Sequence, residues 1–208
     1  MRFIILVLLL FPSGSASAGA LSNWTAAFTR CGRHAELVKD GPMDIGVRFA
    51  TDNPTLAQAF RSAMDFWSTI IEMKWHEDDT DTCAMELGDG LSNLFEAAPD
   101  TMAARSQFPD RPGFYGWIAF NPRVRLDSEG FYRISVHEIG HVFGLQHSTH
   151  IRSLMYAFDL DCSNLLDAAD LSALATRHRL RLKSLSTPIL LTAETEKQAG
   201  LPRPRTAN

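Results

Sequence analysis

The chain has 208 residues, of which 45% are hydrophobic and 21% are charged, so it can form one well-buried domain. Its 24 acidic and 20 basic side chains leave a formal net charge of −4. This balance argues against nucleic acid or an anionic membrane as the binding partner, because both attract strongly basic surfaces.

Residues 1–18 have the pattern of a secretory signal peptide. Arg2 supplies the positive end, residues 3–11 form a continuous apolar run, and Ala16-Ser17-Ala18 fits a small-residue cleavage site. The apolar run is too short for a stable membrane-spanning helix, although a retained anchor is the alternative interpretation. The sequence therefore predicts a secreted, extracellular protein with no membrane span after cleavage.

The segment 19–41 that follows shows little periodicity, and we interpret it as an N-terminal segment that could be a short propeptide. Export would place the three cysteines, Cys31, Cys83 and Cys162, in an oxidising compartment. Because the number is odd, at most one internal disulfide forms and one thiol remains. The pairing stays open at this point.

The predicted elements of the main domain, residues 42–182, begin with an alternating apolar pattern. This pattern predicts a half-buried strand over 44–49. Asn53 followed by Pro54 predicts a helix start, and an apolar stripe at helical spacing extends that helix to about residue 71. Short apolar runs predict four further strands, at 73–76, 82–87, 103–108 and 116–121.

Two more helices are predicted, at 130–143 and at 166–179. Together with the strands, they indicate an α+β sandwich built on a mixed sheet. Beyond Lys183, prolines and basic residues with few aromatics predict a mobile tail, or alternatively a removable extension, over 183–208.

Three histidines and a glutamate lie between residues 137 and 147. On a helix, His137 and His141 lie one turn apart on the same face and can bind one metal ion. Glu138 lies beside the first of them and is predicted to be the general base rather than a solvated carboxylate. A helix that carries this pattern by chance is the alternative, which the fixed offsets of Gly144 and His147 disfavour.

Gly144 can adopt the positive φ that ends a helix sharply, so the chain can turn and bring His147 to the metal as a third ligand. Three nitrogen ligands leave one tetrahedral position for water, which is typical of a catalytic zinc. A structural zinc site would close that position, and Cys31 is the thiol considered for it.

The pattern H-E-x-x-H-x-x-G-x-x-H over residues 137–147 resembles the long zinc signature of the metzincin metalloproteases. Met155, eight residues after His147, is similar to the methionine of the turn beneath the zinc in these enzymes. Three features resemble the matrixin branch in particular: that short gap, the Leu-Met-Tyr sequence at 154–156, and the acidic start of the last predicted helix. The resemblance covers about residues 42–180.

This resemblance implies a metzincin-like fold, in which a twisted mixed five-stranded sheet combines with a long N-terminal helix, an active-site helix and a C-terminal helix. It also implies a monomeric zinc endopeptidase that acts on protein or peptide substrates. Gly144 and Met155 would support the site. A substrate would lie along the edge strand near 105–108, with Gln107 and Tyr156 among its contacts.

Two properties of the family are less well matched. Calcium is a weak expectation, because the acidic turn 77–81 lacks EF-hand spacing and a solvated loop explains it equally well. Arg30-Cys31-Gly32 resembles the core of the matrixin cysteine switch, in which a propeptide thiolate occupies the zinc, but its neighbours differ. Latency through Cys31 and a disulfide role for it both stay open.

The family's second, structural zinc is not expected, because no histidine lies between His76 and His137. The resemblance aligns Ser106 and Ala119 with ligand positions of that site, and Asn121 with a calcium-binding aspartate. We therefore predict a single zinc ion. The other histidines are expected to be ordinary surface or half-buried residues: His34, His76 and His178.

Two alternative functions remain. One is a secreted zinc protein that binds peptides or a partner without turnover, against which the intact Glu138 argues. The other is a metzincin outside the matrixins, which would differ in specificity but not in chemistry.

Overall fold

A five-stranded mixed sheet forms one layer of the domain. The computed structural model describes residues 31–89, 92–96, 101–158 and 164–191. The strands are β1 (Met43–Ala50), β2 (Met73–Glu77), β3 (Met85–Asp89), β4 (Ala104–Ser106) and β5 (Trp117–Phe120). Their order is β2-β1-β3-β5-β4, and all neighbours are parallel except β4 and β5. The predicted α+β class and five-stranded sheet are confirmed.

Helix α1 (Pro54–Ile70) is the long helix, and the start predicted for it is confirmed. The Asn53 side chain accepts hydrogen bonds from the N–H groups of Thr55 and Leu56, at 3.0 and 3.1 Å, and Pro54 occupies the first turn. The apolar stripe on α1 is fully buried, as expected for core packing. Within it, the Trp67 Nε1 donates to the backbone oxygen of Val136 on the next helix at 3.1 Å.

Helix α2 (Ser128–Val142) carries the histidine pair and packs against α1. It begins two residues earlier than predicted, because Asp127 caps it by accepting from the N–H of Gly130 at 2.8 Å. Its second half, residues 134–142, is buried throughout. This helix is therefore an internal element of the core.

The C-terminal part differs from the prediction at both ends of the last helix. Helix α3 (Ala168–Ala175) is shorter than predicted, because Leu165–Leu166 form a strand, β6, that pairs with β7 (Ile189–Leu190). Within residues 183–191, which were expected to begin a mobile tail, Leu185 and Ile189 pack against the core and Leu191 is 4% exposed. The tail over 183–208 stays a prediction, and residues 192–208 lie outside the described residues.

The N-terminal segment is joined to the domain at residue 31. A disulfide links Cys31 to Cys83, and the 3-10 turn His34–Val38 that follows buries Leu37 completely. Because the Cys31 sulfur is bonded to another cysteine, it does not act as the zinc-blocking thiolate of a cysteine switch. Cys162 and the predicted signal peptide lie outside the described residues.

The described ranges contain no helix with the length and apolarity that crossing a membrane requires.

We predict that Cys31→Ser lowers the free energy of unfolding by about 2–4 kcal/mol, because the disulfide closes a loop between residues 52 positions apart. Urea denaturation followed by tryptophan fluorescence measures this loss. Cys83→Ser should cost the same, and the double variant should cost no more than either. Unchanged stability together with increased basal proteolysis would instead indicate a latency switch at Cys31.

Candidate metal centre

Three imidazole rings converge at the end of α2. His137 and His141 lie one turn apart on the helix, and the Nε2 atoms of His141 and His147 are 3.1 Å apart. One nitrogen from each ring falls within 4.8 Å of the other two. In the part of the chain that the structure describes, this is the one group of three or more such side chains that could hold a metal ion.

Gly144 makes the turn that brings the third histidine back. Its φ is +95°, a conformation that side-chain-bearing residues rarely adopt. The N–H groups of Gly144 and Leu145 donate back to the helix, to the oxygens of His141 and Gly140, both at 2.9 Å. Helix α2 therefore ends in an abrupt reversal, and His147 approaches the helical pair from outside.

Backbone carbonyls set the orientation of the His137 and His141 rings. The Nδ1 atom of His137 lies 2.7 Å from the oxygen of Leu154, and that of His141 lies 2.8 Å from the oxygen of Leu145. Since a carbonyl oxygen can only accept, each Nδ1 carries the proton and each Nε2 presents a lone pair. The Nε2 of His137 is buried and has no hydrogen-bond partner among the described residues.

The nitrogen atoms fit a zinc ion. Two lone pairs that face each other at 3.1 Å need a cation or a proton between them. Tetrahedral zinc with bonds of about 2.0–2.1 Å would place its nitrogen ligands about 3.3 Å apart. Burial lowers the pKa of His137 to about 3 and lowers the pKa of both His141 and His147, so all three rings are neutral and can bind a metal.

Glu138 lies beside these rings and is completely buried. Its Oε2 accepts a hydrogen bond from the Ser106 hydroxyl at 2.5 Å, whereas its Oε1 has no partner among the described residues. Burial raises the pKa of Glu138 to about 7, against the opposing effect of the Ser106 bond. A nearby divalent cation would favour the ionised form.

Comparison with known proteins agrees with this geometry. The family model of the M10 peptidases, described as matrixin, matches residues 45–176. The chain belongs to the matrixin family. A search of curated proteins found no match. Membership supports a zinc-dependent metalloprotease as the general activity of this matrixin domain, with protein as the class of substrate.

Met155 packs against the helix that carries the histidines. It is completely buried, and a Cβ atom at Gly140 would lie 2.8 Å from its sulfur and 3.2 Å from Trp67. Ser153 holds this turn, because its hydroxyl accepts from the Met155 N–H at 2.9 Å and donates to Asp170 on α3 at 3.1 Å. The bond between Ser153 and Asp170 could not be predicted from local sequence patterns, although the acidic start of α3 is visible in the sequence.

His178 was expected at the surface or half-buried, and this was wrong. It is 3% exposed, and its Nε2 lies 2.9 Å from the backbone oxygen of Phe143, the residue that caps α2. The ring also packs edge-on against the Phe143 ring, with 5.4 Å between centroids. His178 therefore satisfies a carbonyl at the end of the matrixin's histidine-bearing helix, which sequence spacing alone does not reveal.

The two residues predicted to contact substrate lie in different segments of the chain, one directly after β4 and the other directly after Met155. The Gln107 side chain accepts from the Tyr115 N–H and donates to the Gly113 oxygen, both at 2.7 Å, so it fixes the loop after β4. Tyr156 follows Met155 and is half-buried. Their contact with substrate stays a prediction.

The acidic turn 77–81, a weak candidate for calcium binding, is held by hydrogen bonds to the Asp78 side chain. Asp78 accepts from the N–H and the hydroxyl of Thr80 and from the Thr82 hydroxyl. These bonds lower the pKa of Asp78 to about 2. They explain the turn without a cation, and calcium binding stays untested.

We predict that Gly140→Ala lowers the free energy of unfolding by about 1–2 kcal/mol, because overpacking against Met155 and Trp67 outweighs the helix propensity of alanine. Thermal unfolding of the metal-free protein measures the loss. Combining Gly140→Ala with Met155→Ala should cost less than the sum of the two single changes. Strict additivity would show that the two residues are not in contact.

Proposed function

We propose that this matrixin domain is a secreted zinc endopeptidase. In this proposal His137, His141 and His147 hold the zinc, and Glu138 is the general base. The observation that carries it is the convergence of three neutral imidazole rings beside a buried carboxylate, one oxygen of which has no hydrogen-bond partner in the described part of the chain.

Zinc held by three histidines would activate a water at its open position near neutral pH and would polarise the carbonyl of a peptide bond. The protein itself makes two contributions to the site. It fixes the tautomer of the His137 and His141 rings, and it keeps bulk water away from these two rings. The carbonyls of Leu154 and Leu145 perform the first task. Burial of His137 and His141 performs the second.

Glu138 would move the proton. Its unpaired Oε1 would accept a proton from the attacking water and then deliver it to the nitrogen of the departing amine, so the carboxylate is regenerated in each turnover. A buried carboxylate whose pKa lies near neutrality can do both.

Strand β4 offers a place for an extended peptide. It pairs with β5 along one side, and no strand pairs with its other side among the described residues. A peptide could add there by main-chain hydrogen bonds, with Gln107 and Tyr156 near it. An extended peptide can pair with this open edge through residues in the middle of its chain. We therefore propose endopeptidase activity as the form of proteolysis.

Secretion rests on two observations. The signal-peptide pattern over 1–18 predicts export, and the Cys31–Cys83 disulfide is typical of proteins from an oxidising compartment.

We expect Glu138→Gln to lower kcat/KM for peptide cleavage by about 10²- to 10⁴-fold, because the general base is lost while the histidines are unchanged. A peptide-library digest with mass-spectrometric readout measures this and gives the cleavage specificity. Glu129→Gln, in the first turn of the same helix and paired with Arg133, is the control and should leave the rate unchanged. An untreated protein that binds zinc but cleaves no peptide would favour the alternative of a binding protein.

We further expect one tightly bound zinc ion per chain, measured by elemental analysis after exhaustive dialysis. Chelation should abolish cleavage and added zinc should restore it, whereas His141→Ala should abolish tight binding. Two retained zinc ions per chain would contradict the prediction of a single site.

A further inference from the structure

Side chains alternate between two faces along β4 and the two residues after it, 107 and 108. Successive side chains along a strand point to opposite sides, so residues 106 and 108 share one side and residues 105 and 107 share the other. On the first side, Ser106 donates to Glu138 and the Phe108 ring lies 4.5 Å, centroid to centroid, from the His141 ring. The edge segment therefore contacts both the proposed base and a proposed metal ligand.

The opposite side has partners away from the histidines. The Arg105 Nε lies 3.1 Å from the sulfur of Met102, and its guanidinium packs over the Phe95 ring. Gln107 is engaged with the loop 113–117. A shift of register by one residue would exchange the two sides, so the contact between Ser106 and Glu138 depends on the register of β4 with β5.

The two oxygens of Glu138 are in different situations. Oε2 accepts from the Ser106 hydroxyl, while Oε1 is buried and has no hydrogen-bond partner among the described residues. The terminal torsion of a glutamate is broad, so an isolated carboxylate would rotate and exchange its oxygens. A short bond from a hydroxyl on a neighbouring strand removes that freedom and leaves one defined oxygen available to accept a proton.

We propose that Ser106 is a positioning residue for the reaction: its hydroxyl holds Oε2 of Glu138 and thereby presents Oε1 to the attacking water. This rests on the proposed function, in which Glu138 is the base. Because Ser106 lies on the strand that would pair with substrate, ordering of β4 by a bound peptide would also order the base.

The test compares Ser106→Ala, Ser106→Thr and a matched control. Ser135→Ala removes another buried hydroxyl, one with no hydrogen-bond partner among the described residues, from the helix that carries Glu138. Ser106→Ala should lower kcat by about 10- to 100-fold with KM changed less than about twofold. Ser106→Thr, which keeps the hydroxyl, should retain most of the activity, and Ser135→Ala should match the unaltered protein.

Two readouts separate positioning from general stabilisation. Zinc content should be unchanged in Ser106→Ala, and the protein should stay fully folded at the assay temperature, although its unfolding temperature falls because the buried Oε2 loses its partner. Crystal structures of the metal-free proteins should show one orientation of the Glu138 carboxylate in the unaltered chain and several orientations, or a rotated one, in Ser106→Ala. This second readout does not depend on turnover.

The positioning role is overturned if the unaltered protein cleaves peptide and Ser106→Ala has the same kcat. It is also overturned if Ser106→Thr loses as much activity as Ser106→Ala at an unchanged unfolding temperature. If the zinc-loaded, unaltered protein itself cleaves no peptide, the proposed function fails, and the positioning role fails with it.

Discussion

The centre depends on two hydrogen bonds, from the Nδ1 atoms of His137 and His141 to the carbonyl oxygens of Leu154 and Leu145. Without them, each buried ring could exist in either tautomer, and the nitrogen facing the cluster could carry a proton. The acceptors lie in the two segments that follow α2, so the turn at Gly144 must place Leu145 and the Met155 turn must place Leu154. Ligand chemistry is thus set by the path of the chain after the helix.

That path is itself held by α3 and by the residues that follow it. Asp170 accepts from Ser153, whose oxygen in turn accepts from the Met155 N–H, and His178 bonds to the carbonyl of Phe143 where α2 ends. Each of these polar groups is buried, so the loss of any one would leave its partner unsatisfied in the core. The C-terminal helix and the residues after it therefore stabilise the candidate metal centre without contributing a candidate ligand.

Local patterns predicted the parts of the centre that are close in sequence. His137 and His141 follow from helical spacing, and Gly144 and Met155 follow from fixed offsets and family resemblance. The bond from Ser106 to Glu138 spans 32 positions and depends on which side of a three-residue strand faces α2. Likewise, nothing beside His178 in the sequence indicates that Phe143 lies next to it. The β6–β7 pair was missed because each strand has two residues, too few for any alternation to show.

The edge strand β4 illustrates why such long-range contacts matter to chemistry. Its ladder with β5 covers three residue pairs, and its other side has no strand partner among the described residues. Main-chain bonding alone holds so short an edge weakly, so side-chain contacts must supply part of its position. Ser106 and Phe108 do this by contacting the very residues that the proposed reaction uses. The outer edge of β4 can therefore stay open to a peptide while Ser106 keeps its hydrogen bond to the proposed base, Glu138.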